Sequence, residues 1–260
     1  MSYLNGLFSL EGKVAMVIGG SGVLGGEMSV ALGKAGAKTA VFYSGNRDGA
    51  EEHVQKIKEE GGDGMVCQAD AKNEESLKQG IQNVIDQWGR VDILINAPGI
   101  NSTTSVMEIT EDEWNQIMDI NLKGAFYSSR ITAAQMIRQG EGGSIINISS
   151  ASSEIPLSKV MTYSISKAGM NNMTKFMARE WAPHNIRVNA VMPGFFPAEQ
   201  NRKILTEERR KAIFGHTPMN RYGEADELAG VIIWLASEKA SSFVTGSVVP
   251  VDGGFTAMTI

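Results

Sequence analysis

The chain has 260 residues, 42% of them apolar and 20% charged, with 29 glycines and a formal net charge of -5. That size permits one large α/β domain with a sizeable core, and the acidic balance excludes a broad nucleic-acid or anionic-membrane surface, leaving room only for a local basic pocket. A single cysteine, Cys67, excludes an intrachain disulfide, a cysteine-rich zinc site and a CxxC pair; His53, His184 and His216 lack HExxH spacing, so no metal site is expected. No segment approaches the ~18 apolar residues of a membrane span, and MSYLNGLFSLEGK has no basic stretch leading into a long apolar one. A cytoplasmic enzyme or binding protein is expected.

Short apolar runs alternate with amphipathic segments along the chain. Runs at 13–18, 38–43, 64–69, 91–96, 143–148, 186–192 and 246–251 read as strands, and those at 91–96 and 143–148 are rich in β-branched residues, as strands buried on both faces should be. Helical patterns at 23–35 and 47–60 stop before Gly36 and Gly61-Gly62. In TEDEW, Thr110 as N-cap with Glu113 three residues on predicts a capping box opening a long helix, and 160–182 and 224–236 complete the helical set. Strands separated by helices imply right-handed crossovers: a single-domain α/β fold over 1–260, a Rossmann-type three-layer sandwich around a doubly wound parallel sheet of about seven strands. Ligands bind such sheets at the carboxyl ends of the strands, so the polar residues after each strand carry the interest.

IGGSGVLGG, residues 18–26, follows the first strand and opens a helix, the setting of a dinucleotide loop. Small residues let backbone approach a pyrophosphate, and the unpaired N–H groups of the helix favour the anion. No Gly-Lys-Ser/Thr follows, which excludes a P-loop, but a ligand-free strand-to-helix turn fits the loop alone. In TYSISKAG, Tyr163 and Lys167 lie four apart on one helix face. A free phenol, with a pKa of ~10, is poorly matched to proton transfer near neutrality, and a neighbouring ammonium stabilises the phenolate. Bringing the phenol to neutrality requires ~4 kcal/mol of differential stabilisation.

With these residues in view the layout resembles the short-chain dehydrogenase/reductase family, whose loop reads T-G-x-x-x-G-x-G. Gly19 and Gly25 are retained, Ile18 stands where the family has Thr, and Val23 replaces the middle Gly. In SIINISS, Ser150 lies thirteen residues before Tyr163, the family's spacing between its carbonyl-polarising Ser and its Tyr; Ser149 is its neighbour. In MDINLKG, Asn121 matches the family's Asn that orders a water relay to the Lys. The resemblance therefore implies Ser150, Tyr163, Lys167 and Asn121 as catalytic. It implies a cofactor site at Gly19, Ser21, Gly22, Val23, Leu24 and Gly25. Asp70 and Ala71 follow the third strand, where the family contacts adenine. NAPG supplies Asn96, Ala97, Pro98 and Gly99, and Pro193, Gly194 and Phe196 pass the nicotinamide, with Ala198 where the family has Thr. A homotetramer is implied as well.

Dinucleotide enzymes that use NAD carry an acid at the end of the second strand. Here VFYSGNRDG places Phe42 and Tyr43 there, with Ser44, Asn46 and Arg47 as donors for a 2′-phosphate, so NADP(H) is preferred over NAD(H), although Asp48 turned inward or a solvated Arg47 would leave the choice open. PGFFPAEQNRKIL and GVLGG resemble the sugar-acid branch of the family, D-mannonate oxidoreductases (fructuronate reductases) in particular. Around a substrate lid at 195–215, Phe195, Gln200, Asn201 and Arg202, with Ser150, Ser152 and Tyr163, are the expected substrate contacts. Arg202 can pair a carboxylate through two parallel hydrogen bonds, while Arg202, Lys203, Arg209, Arg210 and Lys211 can equally form a solvated helix face. The expectation is hydride exchange between NAD(P)(H) and a carbonyl or secondary alcohol of a small sugar acid or keto-sugar. A 3-oxoacyl or general ketone reductase is the enzymatic alternative, and a non-catalytic nucleotide sensor the alternative of another class.

Overall fold

A computed structural model describes residues 2–197 and 206–258. Among them, seven strands form one parallel sheet in the order β3-β2-β1-β4-β5-β6-β7. The strands are β1 (Val14–Ile18), β2 (Lys38–Tyr43), β3 (Gly64–Gln68), β4 (Ile93–Asn96), β5 (Gly143–Ile148), β6 (Ile186–Pro193) and β7 (Val248–Val251). The expected Rossmann-type architecture is thus present, with the strand order reversing between β1 and β4.

Both faces of the sheet are covered, and β1 shows why its run is continuously apolar. Val14, Met16 and Ile18 pack toward the helices α4 (Glu74–Trp88), α6 (Gly124–Gln139) and α7 (Met161–Trp181). Ala15 and Val17 point the other way, into a second core with Met28 and Leu32 of α2 (Val23–Lys34). Successive strand side chains face opposite sides, so a strand buried on both must be apolar throughout. Ile18, which stands in place of a family hydroxyl, is 2% exposed and belongs to the first core. A short helix, α1 (Tyr3–Phe8), precedes β1, and α3 (Arg47–Glu59) closes a smaller cluster against β2 through Val54 and Ile57.

Several boundaries differ from the sequence reading. The α4 helix is an addition to the helices expected from the sequence; Asn73 caps it by accepting from Ser76 N and Gly89 ends it in the left-handed region. The helix opened by Thr110 is α5 (Glu111–Met118), and a π-helical turn at Asp119–Lys123 separates it from α6. Thr110 Oγ1 does accept from Glu113 N. The Glu113 carboxylate does not return to the cap; it accepts from Ser102 and Thr104 at 2.7 and 2.8 Å, so half of the expected capping box is replaced by a tie to the β4–α5 loop. The segment at 224–236 divides into a 3-10 turn, Ala225–Leu228, and α9 (Ala229–Ala236). Between β6 and that turn lies α8 (Glu207–Gly215), and a last short helix, α10, spans Glu238–Ser241.

Candidate active site

At the carboxyl edge, where the order reverses, a cavity of about 400 Å³ opens between the β1–α2 loop, the β4–α5 loop, the end of β5, the face of α7 and the start of α8. Strand ends splay there because β1 and β4 send their crossovers to opposite sides of the sheet. Gly19, Gly22, Leu24 and Gly25 form the first wall. Gly19 has φ +81, and a side chain there would strike the backbone of Ala97 and Pro98 at 2.8–2.9 Å, so this glycine serves loop-to-loop packing. A Cβ on Gly25 would meet Gly19 O, again a backbone clash. Gly22 differs: it caps α2 without a side-chain bond, its nearest Cβ contact would be 3.5 Å, and the first turn of α2 holds no acid. That wall offers backbone N–H groups to an anion with no competing carboxylate. Val23 turns outward, 47% exposed, so the side chain that replaces the family's glycine stays out of the cavity.

The opposite wall carries the reactive side chains. Ser150, at the end of β5, and Tyr163 and Lys167, one turn apart on α7, all line the cavity. Ser152 Oγ donates to Ser150 Oγ at 3.0 Å, and Ser150 in turn hydrogen-bonds the Tyr163 phenol. Ser149 is the distractor: its hydroxyl turns to the Lys167 carbonyl at 3.4 Å. Lys167 is 3% exposed, donates to Ile148 O at 2.7 Å, and holds its Nζ 5.7 Å from the centre of the Tyr163 ring. Burial pulls its ammonium down to about 8. Burial pushes the Tyr163 phenol up, and the Ser150 hydrogen bond opposes that shift. Among these side chains burial outweighs the Ser150 bond, and the phenol stays above its ordinary value.

Asn121 occupies the π turn and is fully buried. Its Oδ1 accepts from Ile100 N, and its Nδ2 donates to Ile100 O, each at 2.9 Å, and to Ser166 Oγ at 3.1 Å. Both side-chain donors are thus spent on protein, and the amide braces the β4–α5 loop against α7 rather than reaching toward Lys167. Asn96 is another correction: its side chain is buried below the crevice, bonded to Ser128, Ser129 and Asn147. Ala97 and Gly99 line the cavity, and Pro98 packs under Gly19.

At the far end, Tyr43 is 8% exposed and packs inside the cluster of α3 and β2. Ser44, Asn46 and Arg47 are exposed. Asn46 caps α3 by accepting from Gly49 N at 3.1 Å and donates to Ser21 O at 3.4 Å, tying the two loops together. Arg47 pairs with Glu51 at 2.7 Å. Asp70 accepts from Lys72 N, forming a tight turn before α4, with Ala71 packed beneath Gly124. Pro193, Gly194, Phe195 and Phe196 line the cavity from the β6 side. Gln200, Asn201, Arg202, Lys203 and Ala198 lie outside the described residues. Asn101, Leu157, Val160 and Arg209 also line the cavity without having been singled out for it. Only the position of Asn101 after NAPG hinted at this; the other three reach the site through loop and helix placement. For Arg209 the sequence leaves a solvated helix face as one alternative. Among the described residues no group of side chains is arranged to hold a metal ion, and no helix is long and apolar enough to cross a membrane.

The chain is similar to known proteins along nearly its whole length. Residues 21–256 match a family model described as Enoyl-(Acyl carrier protein) reductase. An uncharacterized oxidoreductase of Bacillus subtilis, UxuB, is 36% identical over 270 residues, covering 96% of each chain. The 2-dehydro-3-deoxy-D-gluconate 5-dehydrogenase of Escherichia coli is 35% identical, covering 96% of this chain and 98% of that one. A gluconate 5-dehydrogenase from Burkholderia cenocepacia, solved in complex with NADP and tartrate, superposes with a TM-score of 0.93 at 31% identity, covering 99% of this chain and 100% of that one. With the reversed-order parallel sheet, these matches along nearly the whole length establish that the chain belongs to the short-chain dehydrogenase/reductase family of NAD(P)-dependent oxidoreductases.

Proposed function

We propose that this oxidoreductase interconverts a carbonyl and a secondary alcohol on a polyhydroxylated acid or keto-sugar, with NADP(H) as the preferred cofactor. The observation that carries the reaction is the convergence of Ser150, Tyr163 and Lys167 on one wall of a cavity whose other wall is the glycine loop. The open face of Gly22 and the uncapped start of α2 fit a dinucleotide pyrophosphate. When bound, the nicotinamide exchanges the hydride.

In reduction, the Ser150 hydroxyl donates to the carbonyl oxygen and stabilises the charge that develops there. Tyr163 Oη delivers the proton to that oxygen. Lys167, held by Ile148 O, supplies the nearby positive charge that favours a departing phenolic proton. Ser152 fixes the Ser150 hydroxyl, and Asn121, through Ser166 Oγ and its bond to Tyr163 O, positions the turn of α7 that carries Tyr163. Phe195 and Phe196 keep the β6 side of the crevice apolar. The substrate class is supported by the gluconate-type names of the relatives, and NADP by the absence of an acid at the end of β2. D-mannonate/D-fructuronate is the member of that class we favour from the likeness of PGFFPAEQNRKIL.

The test is a spectrophotometric screen of NADPH and NADH against D-fructuronate, 5-keto-D-gluconate, their neutral analogues D-fructose and L-sorbose, and a 3-oxoacyl thioester. Preferred turnover of a keto-sugar acid with NADPH supports the reading; preferred turnover of the thioester, or of NADH, contradicts the corresponding half. A homotetramer fits the exposed Phe126 and Phe176 on α6 and α7, 38% and 61% accessible in the single chain; light scattering at one chain mass would contradict it.

A further inference from the structure

The cavity has an uneven charge that the reaction itself does not require. Among the described residues its lining includes two cations, Lys167 and Arg209, and no aspartate or glutamate. Lys167 is committed at the inner end, bonded to Ile148 O beside Tyr163. Arg209 stands on the first turn of α8, where its backbone N–H donates to Thr206 Oγ1. From there its guanidinium reaches the Ser158 hydroxyl on the β5–α7 loop at a long 3.4 Å. Among the described residues, no carboxylate pairs with it. Its neighbour Arg210 is different: that guanidinium turns back to Glu207 at 2.7 Å. An arginine has five N–H donors in a planar fork, so one long contact to a hydroxyl leaves most of the fork without a partner among the described residues.

We infer that Arg209 is the residue that recognises the substrate's carboxylate, and so sets the preference for acids over neutral sugars. The inference rests on the proposed keto-sugar acid reading and assigns its specificity to one side chain. The fork matches a carboxylate through two parallel hydrogen bonds, a geometry that an ammonium cannot reproduce. The Ser158 contact joins this arginine of α8 to the β5–α7 loop.

The experiment compares wild type with Arg209→Ala, Arg209→Lys and Arg210→Ala. The paired probes are D-fructuronate against D-fructose and 5-keto-D-gluconate against L-sorbose, which differ within each pair by a carboxylate in place of a hydroxymethyl group. For Arg209→Ala, kcat/KM on the acids is expected to fall about 30-fold, mainly through KM, because hydrogen bonds to charged groups are among the stronger ones. Activity on the neutral sugars and the Kd for NADPH should stay within about threefold, since neither involves that contact. Arg209→Lys should fall between wild type and Arg209→Ala. Arg210→Ala, which removes an equal charge from the same helix, should match wild type. Unchanged acid kinetics in Arg209→Ala, with wild type still preferring acids, would overturn the role of Arg209 and leave the substrate reading standing. A wild-type enzyme that does not prefer the acids would overturn both. Weakened NADPH binding in Arg209→Ala would reassign the arginine to the cofactor and overturn the inference.

Discussion

The residues nearest the chemistry are set by burial as much as by their own types. Lys167 is charged below about 8 and neutral above it, because burial disfavours the ammonium. Reduction draws on that charge, so kcat/KM for carbonyl reduction should be full below this value and fall as pH rises through it; a profile flat through that range would separate Lys167 from the reaction. Ser152→Ala removes one of the two donors to the Ser150 hydroxyl and keeps the Ser152 N–H at 3.2 Å, so it should lower kcat about threefold with little change in KM, the mark of a group that acts through its neighbour. At the other end of the crevice, Asn46 and Arg47 separate into two roles. Asn46 joins Ser21 O to the cap of α3, so Asn46→Ala should weaken NADPH and NADH alike. Arg47, exposed and paired with Glu51, can turn to a 2′-phosphate, so Arg47→Ala should weaken NADPH alone. Fluorescence titration with both cofactors checks both; equal weakening by Arg47→Ala would remove the phosphate role.

Elements are held in register by a few buried polar groups. Asp92, 4% exposed just before β4, accepts from Val14 N at 2.9 Å and from Arg90 at 2.6 and 2.9 Å, tying the amino ends of β1 and β4. Asp92→Ala leaves Val14 N and Arg90 without that partner and should cost about 3 kcal/mol, read as a lower denaturation midpoint at unchanged slope. The strands themselves were legible because a run buried on both faces must be apolar, and β4 and β5 match to within two residues. The join of α5 to α6 was not. A π turn at Asp119–Lys123 leaves no local pattern, since its anchor, Asn121, bonds to Ile100 and Ser166 far along the chain. The fate of Glu113 was hidden for the same reason: Ser102 and Thr104 arrive only once the β4–α5 loop folds over α5.

For the whole molecule, alternation of strands and helices was enough to predict the doubly wound sheet, and that sheet alone decides where the crevice must be. The Ser150, Tyr163 and Lys167 cluster was legible because it sits on one strand end and one helix face. Arg209 was not, because its place at the cavity depends on how α8 packs, and an arginine among arginines carries no local signal. The proposed reaction depends above all on Tyr163 as the proton donor. The direct measurement is steady-state reduction of D-fructuronate and 5-keto-D-gluconate by Tyr163→Phe, with the NADPH Kd measured alongside. The expected result is a kcat at least about 1000-fold lower with the Kd within about twofold, because the substitution removes only the proton-donating hydroxyl. Turnover close to wild type in that variant would contradict it.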